Sequence, residues 1–182
     1  MVTGGDYDLS GCASLKEMRV ALVFKHVSSP VGRLKLVASD KGLAAILWED
    51  DDPARVPLGP MIECPDHSVL AETECQLSDY FAGRRHGFTV PLDFHGTDFQ
   101  KGVWAALLAI PFGETRTYGE IARTIGRPSA SRAVGAANGR NPISIIAPCH
   151  RVLGSNGALT GFAGGLAAKN YLLRHERRHA AA

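Results

Sequence analysis

The sequence has few cysteines, and none of them form a recognisable metal site. Only four occur in 182 residues. No two of them form a Cys-X-X-Cys pair, so the usual zinc-binding spacings are absent. In a reducing cytosol we expect all four to be free thiols, with Cys75 buried as a small apolar residue. The four are Cys12, Cys64, Cys75 and Cys149.

Long apolar runs and targeting signals are also missing. No apolar run reaches the roughly 18 residues that are needed to cross a bilayer. The N-terminus has acidic residues early, where a secretion signal would have basic residues followed by apolar ones. Apolar residues make up 45% of the chain and charged residues 21%, which is typical of globular proteins. We therefore expect a cytoplasmic protein without membrane contact, built as one large domain or two small ones.

Charge is distributed unevenly along the chain. Residues 1–96 contain 9 Lys and Arg against 14 Asp and Glu, which is a net charge of −5. Residues 97–182 contain 11 against 4, a net charge of +7, and nine of these cations are Arg. A basic half of this kind is typical of proteins that bind a polyanion such as nucleic acid. Ordinary surface charge is the alternative explanation.

The first half has the pattern of a small α+β domain. Residues 1–17 are polar and lack periodicity, so we expect a disordered tail. Three short segments separated by turn residues predict an antiparallel meander, and a Pro- and acid-rich loop follows. We then expect a helix with Ser68 as N-cap and Gly83 after its end, and an extended segment that returns to the sheet. Residues 18–96 therefore predict an N-terminal scaffold domain without a catalytic motif. The predicted strands are VALVFKHV, RLKLVAS and LAAILWE.

The second half, residues 97–182, predicts a mostly helical domain. A first helix is capped by Thr97 or Asp98, and the stretch TYGEIARTIG predicts a short second one. The stretch SASRAVGAANGR predicts another short helix, capped by Ser129. Two short helices joined by about four residues that include Gly or Pro are typical of a helix-turn-helix, although most such pairs only pack a core. A closing helix, LAAKNYLLRHERRH, follows a Gly-rich loop.

One dipeptide, Cys149-His150, has neighbours that suggest chemistry. A thiol becomes a nucleophile when a histidine, an arginine or a helix N-terminus stabilises its thiolate. Adjacent residues in an extended segment point to opposite sides, so a water or a bend would have to connect the two groups. A base also needs an orienting partner, and Glu176 is a candidate. The residues alone leave three interpretations open: a nucleophile with its base, a buried structural pair or, with less support, a metal ligand.

Four segments together resemble the O6-alkylguanine-DNA alkyltransferase family. They are PCHRV at 148–152, RAVGAANGRNP at 132–142, TYGEIA at 117–122 and GFAGGLAAKNYLLRHE at 161–176. The resemblance implies a monomeric DNA repair enzyme that acts on double-stranded DNA without a cofactor or a metal. It also implies that Cys149 takes the alkyl group from O6-alkylguanine, and from O4-alkylthymine, and keeps it, so that each molecule reacts once.

The resemblance further implies a role for each catalytic residue. His150 would deprotonate the thiol of Cys149 through a water, and Glu176 would orient His150. Asn141 would brace the active-site turn. Tyr118 would help to stabilise the guanine leaving group and would also contact the DNA backbone. Neither the pattern nor the resemblance supplies a role for the arginine of the PCHRV motif.

For DNA, the resemblance implies that the second short helix enters the minor groove. The O6 atom of a paired guanine is out of reach of a thiol, so the nucleotide must rotate into a pocket. Arg132 would then fill the space left in the base stack. The expected DNA contacts are Arg132, Tyr118, Gly119, Arg127, Gln100, Ser155, Ala133 and Gly135. The expected pocket residues are Val152, Phe162, Ala163, Gly164 and Pro148.

The chain departs from the family pattern at several positions. Ala147 stands where a larger aliphatic residue is usual, and Phe162 stands where tyrosine is frequent. The zinc ligands of some N-terminal domains have no clear counterpart, because Cys12 falls in the predicted tail. Two other functions stay open at this stage: a DNA-binding module that recognises lesions without any transfer, and a cysteine hydrolase.

Overall fold

The structure, a computed structural model, describes residues 22–180. The first elements are the strands β1 (Leu22–Ser29), β2 (Gly32–Ser39), β3 (Gly42–Trp48) and β4 (Met61–Glu63), and the helix α1 (Ser68–Phe81). The later elements are α2 (Asp98–Leu108), β5 (Arg116–Thr117), α3 (Tyr118–Thr124), α4 (Ser131–Gly139), a 3₁₀ turn (Cys149–Arg151), β6 (Val152–Leu153) and α5 (Gly165–Ala180). This is the predicted α+β class. The predicted tail, residues 1–17, lies outside the described residues.

The N-terminal sheet has the strand order β3-β2-β1-β4. The pairs β1–β2 and β2–β3 are antiparallel, as short turns between consecutive strands predict. The antiparallel meander is confirmed. A fourth strand, β4, was not predicted: it lies inside the predicted loop and pairs parallel to β1. The return of the later extended segment is confirmed, because Leu43 shares backbone hydrogen bonds of 2.8 Å with Pro91 and Asp93.

Two apolar clusters fill the interior. The first joins the sheet to α1 and also includes Ile143, Ile145 and Ile146, which precede the 3₁₀ turn. The second lies among α2, α3 and α4 and includes Cys149 and Val152. The segment that carries Cys149 is therefore anchored in both clusters. The first cluster contains residues from both sides of the predicted domain boundary between residues 96 and 97. The division of the chain into two domains there therefore stays a proposal.

The helix N-caps agree only in part with the sequence prediction. Thr97 caps α2, as predicted. The predicted caps Ser68 and Ser129 are each wrong by one residue. The N-cap of α1 is His67 and that of α4 is Ala130, and neither makes a side-chain cap hydrogen bond. The backbone carbonyls of these two residues accept the first intrahelical hydrogen bonds at 2.9 Å, so the turn before each helix decides where it begins.

The cysteines differ from the prediction in two ways. Cys64 is disulfide-bonded, so the expectation of a free thiol is wrong there, while Cys75 and Cys149 are free. Cys75 is exposed on α1 and not buried. Cys12 lies outside the described residues. Between residues 22 and 180 the structure contains no group of three His, Cys, Asp or Glu that could hold a metal ion, and no helix that could span a bilayer.

Candidate active site and DNA-binding surface

A tight turn ahead of the 3₁₀ turn positions Cys149. Asn141 is fully buried in this turn. Its side-chain amide donates to the Ala147 carbonyl oxygen at 2.7 Å, and its side-chain oxygen accepts from the Ile143 N–H at 3.1 Å. Ile145 has a φ of 74°, a left-handed conformation that is strained for a β-branched residue. Asn141 therefore spans the turn from the inside, where the resemblance expects a bracing residue.

The N-terminal sheet holds the same turn from the outside. The Ile46 N–H of β3 donates to the Pro142 carbonyl oxygen at 2.9 Å. Arg55, in the loop after β3, donates from Nη1 to the Asn141 carbonyl oxygen at 2.6 Å. Asp51 accepts two further hydrogen bonds from the same guanidinium and fixes its position. Sequence reasoning missed Arg55, because an acidic loop 86 residues away carries no signal of this contact.

Cys149 is almost completely enclosed, with 3% of its surface exposed. Burial raises the pKa of its thiol. Hydrogen bonding from Asn141 and the positive charges of Arg55 and Lys169 act in the opposite direction without cancelling the effect of burial. The sulfur is therefore a protonated thiol at neutral pH, and its reactivity depends on a base that removes the proton.

His150 follows Cys149 in the chain, but its ring points to Glu176. The distance between His150 Nε2 and Glu176 Oε1 is 2.7 Å. The other ring nitrogen, Nδ1, is buried and has no partner among the described residues. Burial lowers the pKa of His150 despite the opposing effect of Glu176. A neutral ring that donates from Nε2 to the carboxylate keeps Nδ1 free to accept a proton.

Glu176 is the centre of a buried hydrogen-bond network. It accepts from the Tyr80 hydroxyl at 2.7 Å and from the Gly113 N–H at 3.2 Å. Arg151 donates to its two oxygens from Nε at 2.8 Å and from Nη2 at 2.9 Å. Burial alone would raise the pKa of Glu176, but the hydrogen bonds from His150 and Arg151 and the charge of Arg151 lower it far below its usual range. Glu176 is therefore a fixed carboxylate that holds the imidazole of His150 in one orientation.

Two members of this network were missed by sequence reasoning. Arg151 lies in the PCHRV motif, but only its contacts in the structure show a role. Its Nε and Nη2 donate to Glu176, and its third nitrogen, Nη1, donates to the Ile110 carbonyl oxygen at 2.5 Å. Tyr80 belongs to α1, 96 residues before Glu176, and no sequence signal joins the two. The predicted scaffold domain thus contributes a direct hydrogen bond to the candidate site.

A second buried cation, Lys169, supports the loop of residues 154–164. Its Nζ donates to the Val152 carbonyl oxygen at 2.7 Å and to the Thr160 carbonyl oxygen at 3.0 Å. The hydroxyls of Thr160 and Tyr118 are 2.8 Å apart. Lys169 therefore connects the strand after the 3₁₀ turn to the loop that contacts Tyr118. Sequence reasoning missed it because a lysine in a helix usually indicates an exposed surface.

The other expected pocket residues lie in this loop or next to it in the chain. Phe162, Ala163 and Gly164 are half-buried, and Pro148 is buried immediately before the thiol. The rings of Trp48 and Phe162 meet edge to face with centroids 5.3 Å apart. A Cβ on Gly164 would come within 2.6 Å of the Trp48 ring, so only glycine fits there. The Gly-rich loop is therefore packed tightly against the end of β3.

The helices α3 and α4 form the predicted helix-turn-helix. Arg132 and Ala133 are exposed in the first turn of α4, and Arg127 is exposed in the connection between the helices. A Cβ added to Gly135 would lie 3.8 Å from the Tyr118 ring, so a small residue lets the two helices approach closely. The exposed end of α4 therefore presents a cation and small side chains to solvent.

Three other expected DNA contacts have different surroundings. Gly119 is half-buried in α3, and Ser155 is exposed in the loop after β6. The side-chain oxygen of Gln100 accepts from the Thr97 N–H at 2.9 Å and completes the capping box of α2. Gln100 thus has a structural role, and its contact with DNA stays a prediction.

The fold and the site define a protein in which a buried cysteine and a histidine–glutamate pair pack against a helix-turn-helix. Residues 22–94 match the 6-O-methylguanine DNA methyltransferase, ribonuclease-like domain, and residues 98–178 match the 6-O-methylguanine DNA methyltransferase, DNA binding domain. The chain belongs to the 6-O-methylguanine DNA methyltransferase family.

Individual relatives align with most of this chain. A methylated-DNA–protein-cysteine methyltransferase of Methanosarcina acetivorans is 50% identical over 153 residues, which is 81% of this chain and 94% of the relative. The protein of the same name from Mycobacterium bovis is 47% identical over 161 residues, with 87% and 94% covered. A crystal structure of Mycobacterium tuberculosis OGT in complex with DNA matches with a TM-score of 0.77 and 46% identity, covering 86% of this chain and 94% of that one.

Proposed function

We propose that this chain is a methylated-DNA–protein-cysteine S-methyltransferase that repairs O6-alkylguanine, and O4-alkylthymine, in double-stranded DNA. Cys149 accepts the alkyl group. The observation that carries the proposal is the buried Cys149 beside a neutral His150 whose Nε2 is held by Glu176 and whose Nδ1 is free. The names of the relatives, and the DNA bound to one of them, support the substrate class.

The first step activates the thiol. The thiol proton moves through a water to Nδ1 of His150, which becomes an imidazolium. Glu176, already ionised and held by Arg151, stabilises this positive charge without moving. The buried cation of Lys169 and the side chain of Asn141 favour the resulting thiolate on Cys149. Because these groups are fixed before the reaction, the site needs no rearrangement to form the nucleophile.

The second step is an in-line displacement at a saturated carbon. The thiolate forms a sulfur–carbon bond as the bond between O6 and the alkyl carbon breaks, and the electron pair of that bond returns to the guanine ring. A hydrogen bond from the Tyr118 hydroxyl, followed by a proton, neutralises the ring. The products are an S-alkylated Cys149 and unmodified guanine. His150 then releases the thiol proton to solvent and Tyr118 regains a proton from solvent, so that the proton lost by the thiol balances the one that guanine gains.

The alkylated base reaches the thiol only outside the duplex, because O6 is paired inside it. The helix α4 enters the minor groove, where readout depends little on sequence and where a repair protein can work at any site. Arg132, exposed at the first turn of α4, fills the space that the rotated nucleotide leaves. The net charge of +7 on residues 97–182 attracts the phosphate backbone.

The reaction ends with one turnover. A thioether has no easy route back to a thiol, and the proposed mechanism includes no step that would regenerate Cys149. Each molecule therefore acts once. The resemblance to the family further implies that it acts as a monomer and without a cofactor. The proposed place of action is the bacterial cytoplasm, where chromosomal DNA is found.

The test is a single-turnover reaction with DNA that contains O6-methylguanine. We expect the protein to gain the mass of one CH2 unit, because a methyl group replaces the thiol hydrogen, and peptide mapping to locate the methyl group on Cys149. One equivalent of DNA should exhaust the protein. A parallel reaction with O4-methylthymine DNA measures the second substrate.

The Cys149→Ser variant is the control, and it should bind the same DNA without gaining mass. The exposed thiol of Cys75 serves as an internal reference for non-specific alkylation. A folded protein that binds the lesion but leaves Cys149 unmethylated contradicts the proposal and favours a lesion-binding module.

A further inference from the structure

Thr160 lies in the loop after β6, and its hydroxyl meets the hydroxyl of Tyr118. The two oxygens are 2.8 Å apart, and either can be the donor. Both side chains are half-buried, so the contact is partly shielded from solvent. A hydroxyl in a loop ordinarily bonds to water or to nearby backbone. Here it bonds instead to the side chain that the proposed function assigns to the guanine leaving group.

The direction of the Thr160 side chain is fixed by its surroundings. Its carbonyl oxygen accepts from Lys169 Nζ at 3.0 Å, which holds the backbone at this point of the loop. Its methyl group lies on the side of Gly154, where an added Cβ would come within 3.5 Å of it. A β-branched side chain is stiff at χ1. With the methyl placed against Gly154, the hydroxyl stays directed at Tyr118.

Tyr118 is brought to this loop by the short parallel pair of β5 and β6. Thr117, the residue before it, pairs with Leu153, from which the loop departs. The Tyr118 ring lies beside α4, since a Cβ added to Gly135 would be 3.8 Å from it. The phenol therefore connects the helix-turn-helix to the loop, and Thr160 is the residue that meets its polar end.

A hydroxyl partner suits a tyrosine that has to give up its proton. In the proposed reaction the Tyr118 proton passes to guanine, and the phenol oxygen stays negative until solvent returns a proton. Hydrogen bonds to charged groups are about twice as strong as neutral ones. A threonine hydroxyl rotates, so it can accept from Tyr118 in the free protein and donate to it once the proton has left. Valine has the same shape and can do neither.

We propose that Thr160 is a positioning residue that holds the Tyr118 hydroxyl for the guanine leaving group and donates a hydrogen bond to its oxygen as the proton leaves. The O–H bond of Thr160 stays intact, and solvent supplies the proton that Tyr118 regains. The inference rests on the proposed function, in which Tyr118 assists the departure of guanine. Because Lys169 anchors the loop through a backbone carbonyl, a change of the Thr160 side chain leaves that anchor in place.

The test is a double-mutant cycle of Thr160→Val and Tyr118→Phe. Single-turnover rates of methyl transfer are measured for the wild type, the two single variants and the double variant, with duplex DNA that contains O6-methylguanine. We expect Thr160→Val to slow transfer about tenfold when Tyr118 is present. In the Tyr118→Phe background it should change the rate little, because no phenol hydroxyl is left to position. Thr160→Ser keeps the hydroxyl and should retain most of the wild-type rate.

Thr73→Val is the matched control, because its hydroxyl donates at 2.6 Å to the Val69 carbonyl oxygen within α1 and does not touch the site. It should transfer at the wild-type rate. The inference is overturned if Thr160→Val also transfers at the wild-type rate, or if it slows transfer by the same factor in both Tyr118 backgrounds. A wild type that transfers no methyl group contradicts the proposed function itself.

Discussion

Glu176 carries a full negative charge although only 1% of its surface is exposed. An isolated buried carboxylate costs several kcal/mol, unless hydrogen bonds and an opposite charge compensate. The guanidinium of Arg151 supplies the opposite charge and two hydrogen bonds. Tyr80 and Gly113 supply one further hydrogen bond each. The same oxygens then fix His150. The ion pair of Arg151 and Glu176 thus orients His150 in addition to stabilising the buried carboxylate.

The Arg151→Met variant tests the paired hydrogen bonds between the Arg151 guanidinium and Glu176. It leaves Glu176 buried with too few partners, so we expect a loss of about 3 kcal/mol in the free energy of unfolding at neutral pH. The lowered pKa of Glu176 means that its stabilisation is present above the pKa of an unfolded glutamate and is lost as pH falls towards the folded value. Because burial then outweighs the remaining partners, the pKa of Glu176 rises and the variant no longer loses this stabilisation in acid, so its deficit in stability relative to the wild type should shrink as pH falls. Denaturant unfolding across a pH series measures both effects.

The control is Arg174→Met, an exposed arginine on the same helix as Glu176. It should change stability by less than about 0.5 kcal/mol and leave the pH dependence of stability unchanged. An equal pH dependence in the two variants would show that Arg151 does not hold the ionised form of Glu176.

At the scale of secondary-structure elements, the sequence predicts those that local patterns determine. The three strands of the meander follow from apolar segments separated by turns. The start of α2 is predictable from Thr97, because its side chain accepts a hydrogen bond from the backbone N–H of the third helical residue. The strand β4 is invisible in the sequence, since it has three residues and exists only through its parallel pairing with β1. The start of α4 was misplaced because a serine near a helix predicts a cap, while the chain enters this helix one residue later.

The Arg132→Ala variant tests the role of α4 in extruding the nucleotide. Arg132 is exposed at the start of the helix and has the flat, charged side chain that stacks well between bases. Stacking of this kind contributes roughly 1–3 kcal/mol, so we expect transfer from duplex DNA to slow at least about tenfold. Bulk affinity for DNA should fall much less. Fluorescence of a base analogue next to the lesion reports rotation, and equilibrium titration reports affinity.

Arg140→Ala is the control, because this arginine is exposed at the other end of the same helix. It should leave rotation and transfer at the wild-type rate. Similar losses of affinity and rotation in Arg132→Ala would mean that Arg132 only attracts phosphate.

At the scale of the whole molecule, both halves of the chain contribute contacts to the candidate active site. The dipeptide of Cys149 and His150 and its helical partner Glu176 are predictable from one half of the sequence. The groups that hold them are not, because Arg55 and Tyr80 reach the site from elements that lie 86 and 96 residues before their partners. Contacts of this kind depend on the packing of β3 and α1 against the second half, which no local pattern encodes.

Replacing Tyr80 with phenylalanine tests whether the N-terminal half serves the chemistry. Burial and the nearby Glu176 raise the pKa of the Tyr80 hydroxyl, so it stays a donor to Glu176. Phenylalanine keeps the ring contacts with Phe88 and Phe112 and removes only that hydrogen bond. We expect the free energy of unfolding to fall by about 1 kcal/mol, and single-turnover transfer to slow several-fold because Glu176 orients His150 less firmly.

Tyr171→Phe, on the exposed side of α5, is the matched control and should change neither quantity. Stability comes from denaturant unfolding, and the transfer rate comes from quenched reactions with O6-methylguanine DNA. A Tyr80→Phe protein that is less stable yet transfers at the wild-type rate would limit α1 to the scaffold role that its sequence predicts. A slower rate with the predicted stability loss would mean that the N-terminal half helps to position Glu176, and through it His150, for the activation of Cys149.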